Sequence, residues 1–126
     1  MIEALPDMPD GVLGFEAVGE VHAEDYVTTL VPAIEAHSGP VRLVYVLGER
    51  FYGYSSGAMW QDAKLPLQHH EQWHRLALVT DVDWVRHLAA VFGWMIPGKF
   101  EVFPTDRLTD AIAWVARDAR RLPLVG

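Results

Sequence analysis

The chain has 126 residues, 51% hydrophobic and 21% charged, which suits one ordinary core, is too short for two, and excludes a disordered chain. Its 10 Lys and Arg against 17 Asp and Glu give a net charge of -7, which repels a phosphate backbone and excludes nucleic acid as the expected partner. With no cysteine, thiol catalysis, disulfides and thiolate metal sites are all excluded.

The expectation is a single domain over residues 1–126. The apolar runs fall short of a membrane span, and Met1-Ile2-Glu3 does not open an export leader. A cytoplasmic chain follows, at most peripheral to a membrane.

In chain order, Ile2 to Leu5 and Val12 to Val18 read as two strands reversed by Pro6-Asp7-Met8-Pro9-Asp10-Gly11, a hairpin. A helix from Ala23 to His37 buries Tyr26, Val27, Leu30, Ala33 and Ile34, and Pro32 bends or loosens it near Thr28. Val41 to Leu47 is the third strand. A glycine-punctuated loop then leads to a second helix beginning near Ser56, which Pro66 breaks or kinks, leaving Leu67 to Trp73 as a looser turn or short helix.

Leu76 to Thr80 is the fourth strand. Behind the capping candidates Asp81 and Asp83, a third helix places Trp84, Val85, Leu88, Val91, Phe92 and Met95 on one buried stripe and ends within Gly93 to Gly98. Phe100 to Phe103 is the fifth strand. The last helix follows Thr105 and buries Leu108, Ala111, Ile112 and Val115, with Arg117, Arg120 and Arg121 at its end, where cations complement the helix dipole. The order ββαβαβαβα, with right-handed crossovers, gives an α/β fold with a mixed, mostly parallel five-stranded sheet and four helices, the N-terminal strand antiparallel.

Two catalytic spellings occur. His70-Glu71-Gln72-Trp73-His74 matches H-E-x-x-H, the zinc protease motif. It runs straight into a strand with no third ligand at the usual spacing, so a solvated, histidine-rich turn is the expectation and no metal site is assigned. Gly53-Tyr54-Ser55-Ser56-Gly57 matches G-x-S-x-G, the nucleophile turn of α/β hydrolases. Its downstream partners, Asp81 or Asp83 and His87, crowd at the start of and within one helix, where a triad histidine would come from a late loop after the acid. No catalytic residue is expected.

The apolar aromatics and methionines are the third signal. Phe51, Met59, Trp60, Trp73, Trp84, Phe92, Trp94 and Met95 are mostly core in expectation, but Phe92-Gly93-Trp94-Met95-Ile96-Pro97 carries apolar side chains on more than one helical face. An exposed patch there implies a partner, a membrane surface or a nonpolar ligand.

With this element order and Ser55-Ser56-Gly57 at the end of the third strand, the chain resembles a STAS domain, specifically the SpoIIAA-like bacterial proteins grouped as STAS/CRAL-TRIO-like. The carriers are Val12-Leu13-Gly14-Phe15-Glu16, Ala23-Glu24-Asp25-Tyr26, Gly57-Ala58-Met59-Trp60-Gln61-Asp62-Ala63-Lys64, Val79-Thr80-Asp81-Val82-Asp83-Trp84 and Phe92-Gly93-Trp94-Met95-Ile96-Pro97-Gly98.

The resemblance implies small homodimeric proteins that open between helices to admit nonpolar molecules or touch membranes. It implies a noncatalytic module without a cofactor. Ser55, Ser56, Gly57, Met59, Trp60, Trp84, Phe92, Trp94 and Met95 are the expected ligand-binding residues, a serine orienting a polar head. The alternative is a phosphoserine switch of the anti-sigma-factor-antagonist type. There Ser56 takes the phosphoacceptor place, and Tyr54 departs from the motif by replacing its aspartate.

Overall fold

The computed structural model describes residues 1–37, 40–55, 73–93 and 98–117, with Tyr54 and Phe92 described in their backbone alone. The first strands are β1 (Ile2–Ala4), β2 (Val12–Ala17) and β3 (Gly19–Val21). Next come α1 (Ala23–Asp25), a π-helical turn (Tyr26–Leu30) and α2 (Val31–Ala36). They are followed by β4 (Val41–Leu47), β5 (Phe51–Tyr54), β6 (Trp73–Thr80), α3 (Asp83–Phe92) and β7 (Lys99–Phe103). A 3-10 turn (Thr105–Arg107) leads into α4 (Leu108–Ala116).

Five strands form one sheet in the order β1-β2-β4-β6-β7, and β3 pairs with β5 in a second, two-stranded sheet. β1 runs antiparallel to β2, while the β2–β4, β4–β6 and β6–β7 pairs are parallel. This is the mixed α/β sheet the alternation of elements implies. The helix expected from Ser56 falls outside the described residues.

Each parallel step moves in the same direction across the sheet, so right-handed crossovers put the first helical segment and α3 on one face. That face holds Tyr26, Leu30 and Ile34 of the first helical segment and Val85 of α3 over Leu43, Tyr45 and Leu47. α4 follows the last strand and returns across the opposite face, where Ala111 and Val115 pack on Val44, Val46, Ala77 and Val79.

The first helical segment solves its proline problem by widening. Pro32 has no N–H, and its ring would strike the Thr28 carbonyl in a regular α-helix. The chain adopts a π-turn over Tyr26–Leu30 instead, closed by the Val31 N–H donating to the Tyr26 carbonyl. At its start the His22 N–H donates to Asp25 Oδ2 at 2.7 Å, a side-chain acceptor for an amide of the first turn.

β6 begins at Trp73, three residues before the expected Leu76. Trp73, expected to end a looser turn or short helix, is thus in a strand, because Val41 and Arg42 of β4 supply partners for Trp73 and Arg75 across a register shift.

The face under α4 carries two buried arginines that sequence reading did not use. Arg42 and Arg75 are 5% and 4% exposed. Arg42 Nη1 donates to the carbonyls of Val115 and Arg117, each at 2.7 Å. Arg75 Nη1 donates to the Trp114 carbonyl at 3.2 Å, and its guanidinium lies 5.1 Å from the Trp114 ring centroid. The last carbonyls of a helix have no intrahelical donor and carry the negative end of the dipole. Cations rising from the sheet satisfy them here. Arg117, expected to complement the dipole with its side chain, accepts from Arg42 through its carbonyl, and Arg120 and Arg121 lie outside the described residues.

Candidate functional site

The glycine-punctuated loop after β4 contains a strand of its own. Phe51, Tyr52 and Tyr54 are strand formers, and β5 pairs in parallel with β3, Gly19 opposite Phe51 and Val21 opposite Tyr54. Ser55 therefore follows β5 rather than closing β4 as expected, and its backbone N–H donates to the Val21 carbonyl at 2.8 Å. That amide is committed to the small sheet and does not serve an anion. Ser56, Gly57, Met59 and Trp60 lie outside the described residues.

Arg50 anchors the entry to β5. Glu3 and Glu16 stand opposite each other in the β1–β2 register, a like-charge pair that costs stability alone. Arg50 Nη2 donates to Glu16 at 2.9 Å and to Glu3 at 3.4 Å. The Glu16 hydrogen bond, with the charges of both glutamates, raises the guanidinium pKa above its ordinary value.

Asp81, expected to cap the third helix, bridges two loops at the C-terminal ends of the parallel strands. One carboxylate oxygen accepts from the Thr105 N–H at 3.1 Å and the other from the Thr105 hydroxyl. The helix cap falls to Val82 without a side-chain acceptor, and the Val82 N–H donates to Thr80 Oγ1 at 3.0 Å. The hydroxyl and amide of Thr105 hold the Asp81 carboxyl below its ordinary value. A lowered carboxyl contributes stability above its unfolded-state pKa and loses it as pH falls through the folded one. Asp81→Ala is therefore expected to be less stable than wild type near neutral pH. The two denaturation midpoints should converge below the ordinary carboxylate range, as urea titrations across pH would record.

The catalytic spellings do not assemble. His74 lies within β6, so H-E-x-x-H does not end on a helix, and its other residues lie outside the described set. Among the described residues, no group of three His, Asp or Glu could hold a metal ion. His87 Nδ1 lies 3.1 Å from the carbonyl of Asp83. Asp81 is occupied by Thr105, and among the described residues no hydrogen bond joins Ser55 to His87 or His87 to the carboxylate of either aspartate.

What the structure does present is a helix with two unlike flanks. Val85 of α3 is buried against the sheet, whereas Trp84, Leu88 and Val91 are 43%, 39% and 59% exposed. The expected single buried stripe is thus split. At 100° per residue the apolar arc is too wide for one line of contact, and the sheet covers only its Val85 side. Trp84, Leu88 and Val91 follow i, i+4, i+7 spacing along the flank turned from β7. Beside them Phe51 lies 6.4 Å from Trp84 between ring centroids. Leu76 and Leu78 of β6 are only partly buried on the same face of the sheet.

The opposite flank is polar. Asp83, Arg86 and His87, with Ala89 and Ala90, border a groove of about 580 Å³ shared with Phe100, Glu101 and Val102 of β7.

Of the expected ligand-binding residues, Trp84 lies on the exposed apolar flank, Ser55 lies beyond β5, and Phe92 is placed by its backbone at the end of α3. Trp94 and Met95 lie outside the described residues. Leu76, Leu78, Leu88 and Val91 were not foreseen as site residues. For Leu88 and Val91 the width of the apolar arc on the third helix was the available signal.

A family model described as SpoIIAA-like matches residues 12–116. Among solved structures, the chain is similar to an uncharacterised protein of the DUF3478 family with a SpoIIAA-like fold from Shewanella loihica PV-4. The two are 27% identical with a TM-score of 0.70, over 91% of this chain and 92% of that one. No curated protein matches.

Proposed function

We propose, from the premise that this chain belongs to the SpoIIAA-like family, that it is a noncatalytic module binding a nonpolar, lipid-like small molecule on the apolar flank of α3. The observation that carries this reading is the exposure of Trp84, Leu88 and Val91 along one line of that helix. A tryptophan, a leucine and a valine left on the surface of a ten-residue helix gain free energy when an acyl chain covers them, about 25 cal/mol per Å² of apolar surface removed from water. Leu76 and Leu78 extend the apolar surface onto the sheet, and Phe51 beside Trp84 supplies an aromatic edge.

No helix among the described residues is long and apolar enough to cross a membrane. The exposed apolar side chains of this same flank are what would meet a bilayer surface. The serine-switch alternative gains no support from Ser55, whose amide is spent on β3, and Ser56 lies outside the described residues.

Titration with dodecanoate, followed by tryptophan emission, tests the reading. Wild type is expected to give a saturable blue shift. Leu88→Glu and Val91→Glu place a carboxylate where the chain would lie, and each is expected to weaken the response about tenfold or more. No wild-type response, or equal binding by the variants, would overturn it.

A further inference from the structure

We propose that β7 is a self-complementary edge through which two copies of this chain pair, strand against strand. β7 ends the sheet order and borders only β6 among the described residues, so one side of its backbone carries donors and acceptors that another strand can use. Its sequence is Lys99-Phe100-Glu101-Val102-Phe103, with Lys99 and Glu101 exposed. Alternation places the Phe100 and Val102 side chains on the α3 face, where both line the groove, and Glu101 between them also borders it. Lys99 and Glu101 fall on the other face with Phe103, which packs against Trp114.

An antiparallel copy with Phe100 opposite its own counterpart brings Lys99 against Glu101 of the second chain, and Glu101 against its Lys99. Both cross-strand charge pairs are then attractive, and the two Phe100 rings meet over the centre. Gly98 would face Val102 of the copy without a side chain to crowd it. The opposite edge is poorly suited to the same use. β1 is three residues long, and its Glu3 is already engaged by Arg50.

The charge pattern also excludes the neighbouring register. Centring the pair on Glu101 would oppose the two Glu101 carboxylates and remove both attractive pairs. Lys99 and Glu101 thus specify the alignment as well as the partner. A contact built on a five-residue strand is small, so the dimer is expected to be concentration-dependent and in exchange with monomer.

Sedimentation velocity at low salt over a concentration series, with Lys99→Glu, Glu101→Lys and the double swap K99E/E101K, tests the proposal. Wild type is expected to dimerise. Each single variant opposes like charges twice per dimer and is expected to raise the dissociation constant about tenfold or more. The double swap restores both attractive pairs and returns the constant to within about threefold of wild type. A wild type monomeric at every concentration up to its solubility limit would overturn the proposal. So would a dimer that the single variants leave intact, which would place the contact elsewhere or show another occupant of the edge. A double swap that fails to restore pairing would also overturn it.

Discussion

Replacing Arg42 by Met is expected to destabilise the chain by about 3 kcal/mol or more, because hydrogen bonds to a charged donor contribute about 1.5–3 kcal/mol each. The side chain is 5% exposed, and its Nη1 serves both the Val115 and the Arg117 carbonyls. Methionine keeps much of the volume but leaves those carbonyls without that donor at a buried helix end. Urea denaturation would read the loss, and amide exchange would locate it in α4 rather than in α1 and α2. Arg42→Lys retains the positive charge on a shorter stem and is expected to recover part of the difference. If Met and wild type had equal midpoints, the carbonyl contacts would contribute nothing to holding α4 on the sheet.

Gly98→Ala is expected to cost about 2–3 kcal/mol, or roughly 10 °C in Tm for a chain of this size. Two effects act together at this position. The backbone has φ +79°, and an added Cβ would stand 2.8 Å from the His74 carbonyl oxygen and 3.0 Å from that of Trp73. Gly98 directly precedes Lys99, which opens the β6–β7 pairing opposite Arg75, so the missing side chain is what lets β7 approach its neighbour. Gly98→Asn separates the causes, since asparagine tolerates positive φ but still carries a Cβ. If close approach dominates, Asn costs as much as Ala. Recovery of most of the stability by Asn would assign the effect to the dihedral alone.

These positions show which parts of the molecule the sequence makes visible. Val41 to Leu47 could be read as a buried strand because six of its seven residues are apolar or aromatic, and the strand boundaries match. Arg42 within it was not interpretable locally. Its partners lie at the far end of the chain, and only the return of α4 across the sheet brings them together. β5 was hidden for a related reason. It is four residues long, includes Gly53, and owes its existence to parallel pairing with β3 across the first helical segment.

α3 marks the boundary between pattern and packing. The periodicity of Trp84, Val85, Leu88 and Val91 identified the helix and its apolar arc. It could not tell which part of the arc the sheet would cover. That depends on where β6 and β7 place the helix, which left Val85 inside and the other three outside. Asp81 belongs with them. An aspartate just before a helix reads as a cap, yet Thr105, brought alongside by the β6–β7 pairing, takes both of its oxygens.

The exposed flank of α3 is the surface on which the proposed ligand binding depends. Native mass spectrometry of freshly purified protein, wild type beside Leu88→Glu, tests it most directly. Wild type is expected to show a population carrying an additional lipid-like mass that organic extraction removes, and Leu88→Glu to be reduced to the bare chain. Wild type at the bare mass alone, or the same adduct retained at equal occupancy in the variant, would contradict it.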